Sequence, residues 1–341
     1  MAYTTINKGS SYFNTILYTG TGASLANTGV GFQPDWVWIK SRSAATSHSL
    51  YDAVRGVQKQ IESDNGTAET TETTGLTAFG ADGFTVGALA QLNTSSATYV
   101  AWNWLANNTS GSSNTLGTIT STVAANTTAG FSIVSYTGTG ANATVGHGLG
   151  AVPKMIIVKN ITTTDSWRVY HASLGATKFL TLDSNAAATT SIGAWNDTTP
   201  TSSLFTVGNS TNTNGSTNAL IAYCFAEVKG FSKFNIYTGN SSSNGPFVYT
   251  GFKPAYILIK RSSAANTWRI YNNKSSSFNV ATRFLEPDTV DIEGDTTPID
   301  ILSNGFKVRE SGTAMNAGSL IYMAFAENPF VTSTGIPVTA R

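Results

Sequence analysis

Five carboxylates fall between positions 286 and 295: Glu286, Asp288, Asp291, Glu293 and Asp295. Two chemistries use acids at that density. A glycosidase places two carboxyl groups across a cleft at a set separation. Calcium takes roughly six to eight oxygens, often from closely spaced acids. Asp291 and Glu293 are the pair a polysaccharide depolymerase would use. Asp288, Asp291, Glu293 and Asp295 are the set that would ligate Ca. The segment also turns on Pro287 and Gly294, and a solvated acidic loop is the simpler expectation. The corresponding stretch in the middle of the chain has only Asp183 and Asp197, so any such site is local. The expectation is no cofactor and no enzyme.

The other reactive residues lead the same way. There are three histidines, His48, His147 and His171, and nucleophilic catalysis needs one oriented by a third group. His147 sits in the glycine-rich turn Gly146-His-Gly-Leu-Gly150. His48 and His171 flank short strands and read as surface residues. The one cysteine, Cys224, excludes an internal disulfide and a thiolate cage. In Ile221-Ala-Tyr-Cys-Phe225 it reads as buried filler. Gly138-Thr-Gly140 lacks the following helix that a phosphate loop needs. The seven tryptophans could stack on sugars, but six of them, Trp36, Trp38, Trp102, Trp104, Trp167 and Trp268, lie on or beside the recurring strands and read as core packing. Trp195, in a Gly/Asn/Thr loop, is the best candidate for an exposed ring that stacks on sugar. Trp36 and Trp38 on a strand, and Arg168 and Arg269 after tryptophans at matching places, are candidate contacts at a ligand or at a domain or subunit seam.

These residues are positioned by a pattern that recurs. A strand ending in Tyr-Thr-Gly stands at 18–20, 136–138 and 237–239. The tyrosines lie 136−18 = 118 and 237−136 = 101 positions apart. A turn, a proline, an apolar strand and a lysine follow as Phe32-Gln-Pro-Asp-Trp-Val-Trp-Ile-Lys40, Val152-Pro-Lys-Met-Ile-Ile-Val-Lys159 and Phe252-Lys-Pro-Ala-Tyr-Ile-Leu-Ile-Lys260. These lysines repeat at 159−40 = 119 and 260−159 = 101. Then come His48-Ser-Leu-Tyr51, Trp167-Arg-Val-Tyr170 and Trp268-Arg-Ile-Tyr271. A long apolar strand closes each copy, at 99–104, 220–228 and 320–327. Short strands between Gly/Asn/Ser/Thr loops indicate antiparallel sandwiches.

The expected fold is therefore all-β. Three tandem β-sandwich domains of jelly-roll or lectin-like type would arise by internal triplication, strung in a row. Their bounds are 1–110, 111–229 and 230–341. The segment Asn107 to Thr115 reads as a linker, and Lys229-Gly-Phe231 as a stiff junction. Residues 36–39, 155–158 and 256–259 do not alternate apolar with polar, as a strand with one wet face should. Both faces must be covered, by a loop of the same domain or by a neighbouring domain or subunit. The closing lysines read as the rim of each strand.

Composition fits this fold. Charged residues make up 11% of the 341 residues, and the net charge is +1. That leaves no basic footprint for nucleic acid. Helix formers are sparse against β-branched and turn residues, so little helix is expected. No run approaches the ~20 apolar residues of a membrane span. The opening Met1-Ala-Tyr-Thr-Thr-Ile lacks the basic and apolar regions of a signal peptide, so synthesis in a cytoplasm is expected.

Several landmarks together resemble a repeated β-domain family of tailed-phage virion proteins, especially of marine podovirus-like phages. They are the three Tyr-Thr-Gly elements, Phe32 to Lys40, Gly146-His-Gly-Leu-Gly150 before Pro153, Pro254 to Lys260, Trp268-Arg-Ile-Tyr271 and Ala324-Phe-Ala-Glu-Asn-Pro-Phe330. The resemblance spans nearly the whole chain. It implies a virion location and a structural role as a tail fibre, tail tip or other tail-associated appendage. Attachment to the host surface would then be by binding, with a host surface glycan as one candidate ligand. A head-fibre or capsid decoration is the alternative within that class. Its partners would be other virion proteins of the tail, portal-adaptor or capsid, with a homotrimer as the expected oligomer. The readings from other classes are a depolymerase acting through the acidic loop and a free carbohydrate-binding lectin.

Overall fold

A computed structural model describes residues 4–328. Met1 to Tyr3 of the opening stretch, and Pro329 and Phe330 of the last landmark above, lie outside them. Among the described residues the chain is built of antiparallel strands, with helices of only three or four residues. Three large sheets follow one another. The first holds β1 (Phe13–Thr19), β2 (Trp36–Ser41), β3 (Ser49–Asp52) and β4 (Thr98–Trp104). The second holds β5 (Phe131–Thr137), β6 (Pro153–Asn160), β7 (Arg168–His171) and β8 (Ala219–Ala226). The third holds β9 (Ser232–Asn240), β10 (Pro254–Arg261), β11 (Arg269–Asn272) and β12 (Ala317–Ala326).

The spatial orders are β1-β4-β2-β3, β5-β8-β6-β7 and β9-β12-β10-β11. In each, the closing strand lies between the opening strand and the proline-led strand. Thus β4 pairs Trp102 with Thr15 on one side and with Trp38 on the other. Each large sheet is backed by a smaller one. These are formed by 25–28, 83–86 and 76–80; by 143–146 and 204–207; and by 247–249, 305–308 and 299–302. None of the sheets closes on itself. Ser112–Asn114, within the expected linker, instead forms a strand that pairs with Ser121–Asn126 and widens the second sheet. Its backbone groups complete a ladder rather than meet water, which a flexible tether would leave them to do.

The faces of β2 explain its lack of alternation. Val37 and Ile39 pack with Tyr51, Leu76, Phe84 and Val86 inside the first sandwich. Trp36 and Trp38 point the other way, into a core shared by all three sheets. There Trp36 stacks on Tyr223 of β8 with ring centroids 4.3 Å apart. Phe13 stacks on Phe325 of β12 at 5.1 Å, and Trp104 meets Tyr256 of β10 edge-on at 5.6 Å. Phe225 and Phe325 close the circuit between the second and third sheets at 6.0 Å. Such pairs contribute about 0.5–1.5 kcal/mol each beyond their area burial. The cover of the second face is therefore the neighbouring sheets of the same chain. A row of units would hold the first and third sheets apart, but here they touch. No helix among the described residues is long and apolar enough to cross a membrane.

Candidate functional site

The apolar strands β2, β6 and β10 carry Lys40, Lys159 and Lys260 as their next-to-last residues. All three are fully buried, so they do not mark an exposed rim. Each ammonium is desolvated and must find acceptors. Lys40 Nζ donates to the carbonyls of Ser41 at 3.0 Å, Ala44 at 3.3 Å and Val290 at 3.2 Å. Lys159 Nζ donates to Asn160 at 2.9 Å, Asp165 at 2.7 Å and Gly66 at 2.8 Å. Lys260 Nζ donates to the carbonyls of Asn266 and, at 2.7 Å, Asn185. In each set one acceptor belongs to a loop of another sheet. The first sheet's lysine reaches the third sheet's loop, the second's reaches the first's, and the third's reaches the second's. The contacts close a ring.

The acceptor loops match one another. Gly66, Asn185 and Val290 each lie two residues after an aspartate: Asp64, Asp183 and Asp288. These accept from the backbone N–H of His48 at 2.8 Å, Trp167 at 2.9 Å and Trp268 at 3.0 Å. The side chains of the same three residues cross the seams. Trp167 Nε1 donates to Glu62 O at 2.8 Å and Trp268 Nε1 to Thr181 O at 3.0 Å. His48 takes the same role toward Glu286 O at 3.0 Å. Its Nδ1 accepts from the Trp38 indole at 2.9 Å, so Nε2 carries the proton and donates. Burial pulls the pKa of each of the three lysines down to about 8. Burial pushes Asp64 and Asp183 upward, and Asp288 up to about 7.

The sequence-derived candidates are distributed differently from expectation. Trp195 is 2% exposed. The Gly/Asn/Thr loop winds into the short turn Ile192–Trp195, capped by Ser191, and presses the indole edge-on against Tyr170. It offers no exposed ring. Trp36 and Trp38 lie at the inter-sheet core. Arg168 and Arg269 do not bridge seams. Arg168 bonds Asn212 at 2.9 Å and lies over Phe179, while Arg269 pairs with Glu286 at 3.2 Å and lies over Phe284. The preceding tryptophans do the bridging. His48 and His171 are fully buried rather than on the surface, each holding backbone or indole partners with both ring nitrogens. Cys224 is buried.

The acidic loop disperses its carboxylates. Glu293 faces Arg42 and Arg283, Glu286 faces Arg269, and Asp288 caps Trp268. Asp291 and Asp295 are exposed. Of the four acids named for Ca, Asp288 and Glu293 therefore turn to separate partners, and Asp291 and Asp295 face outward. Among the described residues no three His, Cys, Asp or Glu side chains gather where they could hold a metal ion.

Sequence reasoning missed the clasp. Its signal was present: the aspartates follow the lysines at 64−40 = 24, 183−159 = 24 and 288−260 = 28. A buried lysine beside a recurring loop acid is a pattern of mutual solvation. No curated protein matches this chain. A family model described as "Domain of unknown function (DUF7483)" matches residues 8–329, nearly the whole described length, and the chain belongs to that family.

Proposed function

We propose that the chain is a structural component of a bacteriophage virion, a tail fibre or tail-associated appendage that attaches to the host surface by non-enzymatic binding. The observation that carries this reading is the closed ring of lysine clasps. Three sheets of like strand order are locked through a common aromatic core. A low-charge body stiffened in this way suits an assembled particle, where a subunit must survive outside a cell with its loops turned outward. The same ring supports the finer fold reading, an internal triplication of a jelly-roll-like sandwich. In each copy the opening and closing strands pair, as do the next pair inward, 25–28 with 83–86, for example. The absence of catalysis is part of the proposal, and the pairing of Glu293 with two arginines supports it.

The homotrimer and the virion partners belong to this proposal too. The ring lends weight to one variant, a capsid decoration. A single chain with three like faces would fit a three-fold position on a shell. Density-gradient fractions of particles from the source of the sequence test the reading. The chain is expected to co-migrate with particles, and cryo-electron microscopy of those particles gives its place and copy number. Recovery of the chain only as free soluble protein, with none on particles, overturns it.

A further inference from the structure

At one end of the third sheet, the turn after β11 borders an open cleft of about 400 Å³. The three large sheets share a turn at this point. Asp52, His171 and Asn272 hold the same register against the proline-led strands. The next residue donates its backbone N–H to a carbonyl in all three: Ala53 to Asp35 at 2.8 Å, Ala172 to Lys154 at 2.8 Å and Asn273 to Ala255 at 3.0 Å. The fold needs only that N–H, and alanine supplies it twice. In the third sheet the position carries an amide lining the cleft, and its Oδ1 has no hydrogen-bond partner among the described residues. A buried acceptor without a partner costs about 1–3 kcal/mol, a cost that a hydroxyl donor entering the cleft would offset.

The rest of the lining fits one kind of ligand. Phe278 stands at the cleft 86% exposed, more than any other large apolar side chain among the described residues. The side chain of Lys274 has no ion-pair or hydrogen-bond partner among the described residues, whereas Lys253 across the cleft is paired with Glu327 at 2.8 Å. The turn is held in shape, because Lys274 N and Ser275 N both donate to Asn272 Oδ1, at 3.0 and 2.8 Å. An exposed ring face attracts the weakly positive C–H face of a pyranose through its quadrupole. An amide oxygen accepts from sugar hydroxyls, and a free ammonium binds a carboxylate.

We propose that this cleft binds a uronic-acid residue of an acidic polysaccharide. The proposal rests on the reading above that the chain attaches by binding, and it names the class of ligand. The test is saturation-transfer NMR on the full chain, with D-glucuronate and D-glucose as the probes. Glucuronate is expected to receive saturation at its ring protons and to bind more tightly than glucose. Phe278→Ala should weaken glucuronate about tenfold or more with an unchanged melting temperature, since the ring is exposed. Asn273→Ala installs the residue found at the two matching turns and should also weaken it while folding normally. Lys274→Gln should erase the preference over glucose. Transfer to neither sugar, equal binding of the two by the unaltered chain, or binding indifferent to both Phe278→Ala and Asn273→Ala overturns the proposal. Particle association is read separately. A chain found on particles that ignores glucuronate loses only this inference, and one that binds glucuronate but is absent from particles loses only the virion reading.

Discussion

Arg42 and Glu293 join the first and third sheets by side chain and backbone at once. Arg42 Nε and Nη2 donate to the two carboxylate oxygens at 2.8 and 2.7 Å, and Glu293 N donates to Arg42 O at 3.0 Å. Both side chains are nearly buried, at 12% and 9% exposure. The position has a topological reason. The first and second sheets, and the second and third, are linked by short stretches of chain. The first and third meet only through non-covalent contacts, so this seam is where the ring would open.

A double-mutant cycle on Arg42→Ala and Glu293→Ala, read by urea denaturation, should give a coupling of about 1–3 kcal/mol. The same cycle on the exposed pair Lys253 and Glu327 should give under about 0.5 kcal/mol. Equal couplings for the two pairs would show that the seam is no more than a surface contact.

Two buried tyrosines should respond in opposite ways to loss of the hydroxyl. Tyr223 donates to Asp52 Oδ2 at 2.8 Å, and Arg55 Nε donates to the same oxygen at 2.5 Å. The Tyr256 hydroxyl has no hydrogen-bond partner among the described residues. Tyr223→Phe should cost about 1–3 kcal/mol because it strips a buried carboxylate of a donor. Tyr256→Phe should be neutral or stabilise by up to about 1 kcal/mol. Calorimetric melting of the two variants beside the unaltered chain reads the contrast, which fails if Tyr256→Phe is the more damaging.

These tyrosines mark the limit of what was legible in the sequence. That strand 36–39 needs cover on both faces follows from its missing alternation, a local property. Which surface covers it depends on contacts between residues as distant as Trp36 and Tyr223, and no local pattern carries that. Lys40 reads as a rim because an isolated ammonium is too costly to bury. Two of the carbonyls that make burial tolerable are local, those of Ser41 and Ala44, but the third comes from a loop 250 residues away. Trp195 misled for a related reason. Its neighbours are turn formers, and the short capped turn they form points the ring inward. The cleft beside Phe278 became visible only once the register placed Asn273 against Ala53 and Ala172.

The clasps should show in alkaline stability. Each lysine has a folded pKa of about 8, below its ordinary value of about 10.4. Between those values the unfolded chain holds more protons, so these groups make stability rise with pH across the interval. Lys159→Met leaves the carbonyls of Gly66, Asn160 and Asp165 without their charged donor and should cost about 1–3 kcal/mol at pH 7.5. It should also reduce the gain between about pH 8 and 9.5, a range below ordinary tyrosine ionisation. Denaturant midpoints at the two pH values measure both effects. An unchanged gain would mean that Lys159 is not buried as a cation.

Acid stability sets two groups against each other. Burial lowers His171 to about 4, and its Nε2–H donates to Tyr322 O at 3.3 Å while Nδ1 accepts from Ser173 N at 3.2 Å. An unfolded histidine titrates near about 6.5. Between about 4 and 6.5 the unfolded chain therefore binds the extra proton, and stability falls as pH falls. Asp288 runs the other way. Burial raises it to about 7 against the pull of Lys260 and the Trp268 N–H, while an unfolded aspartate titrates near about 3.9. There the folded chain holds the proton, and stability rises as pH falls. His171→Gln should thus shrink the loss of stability between pH 7 and pH 5, and Asp288→Asn should enlarge it. Urea unfolding at the two pH values decides the matter. If both variants keep the parent's pH dependence, neither group is buried in the state described. If their effects are exchanged, the assignment of signs is wrong.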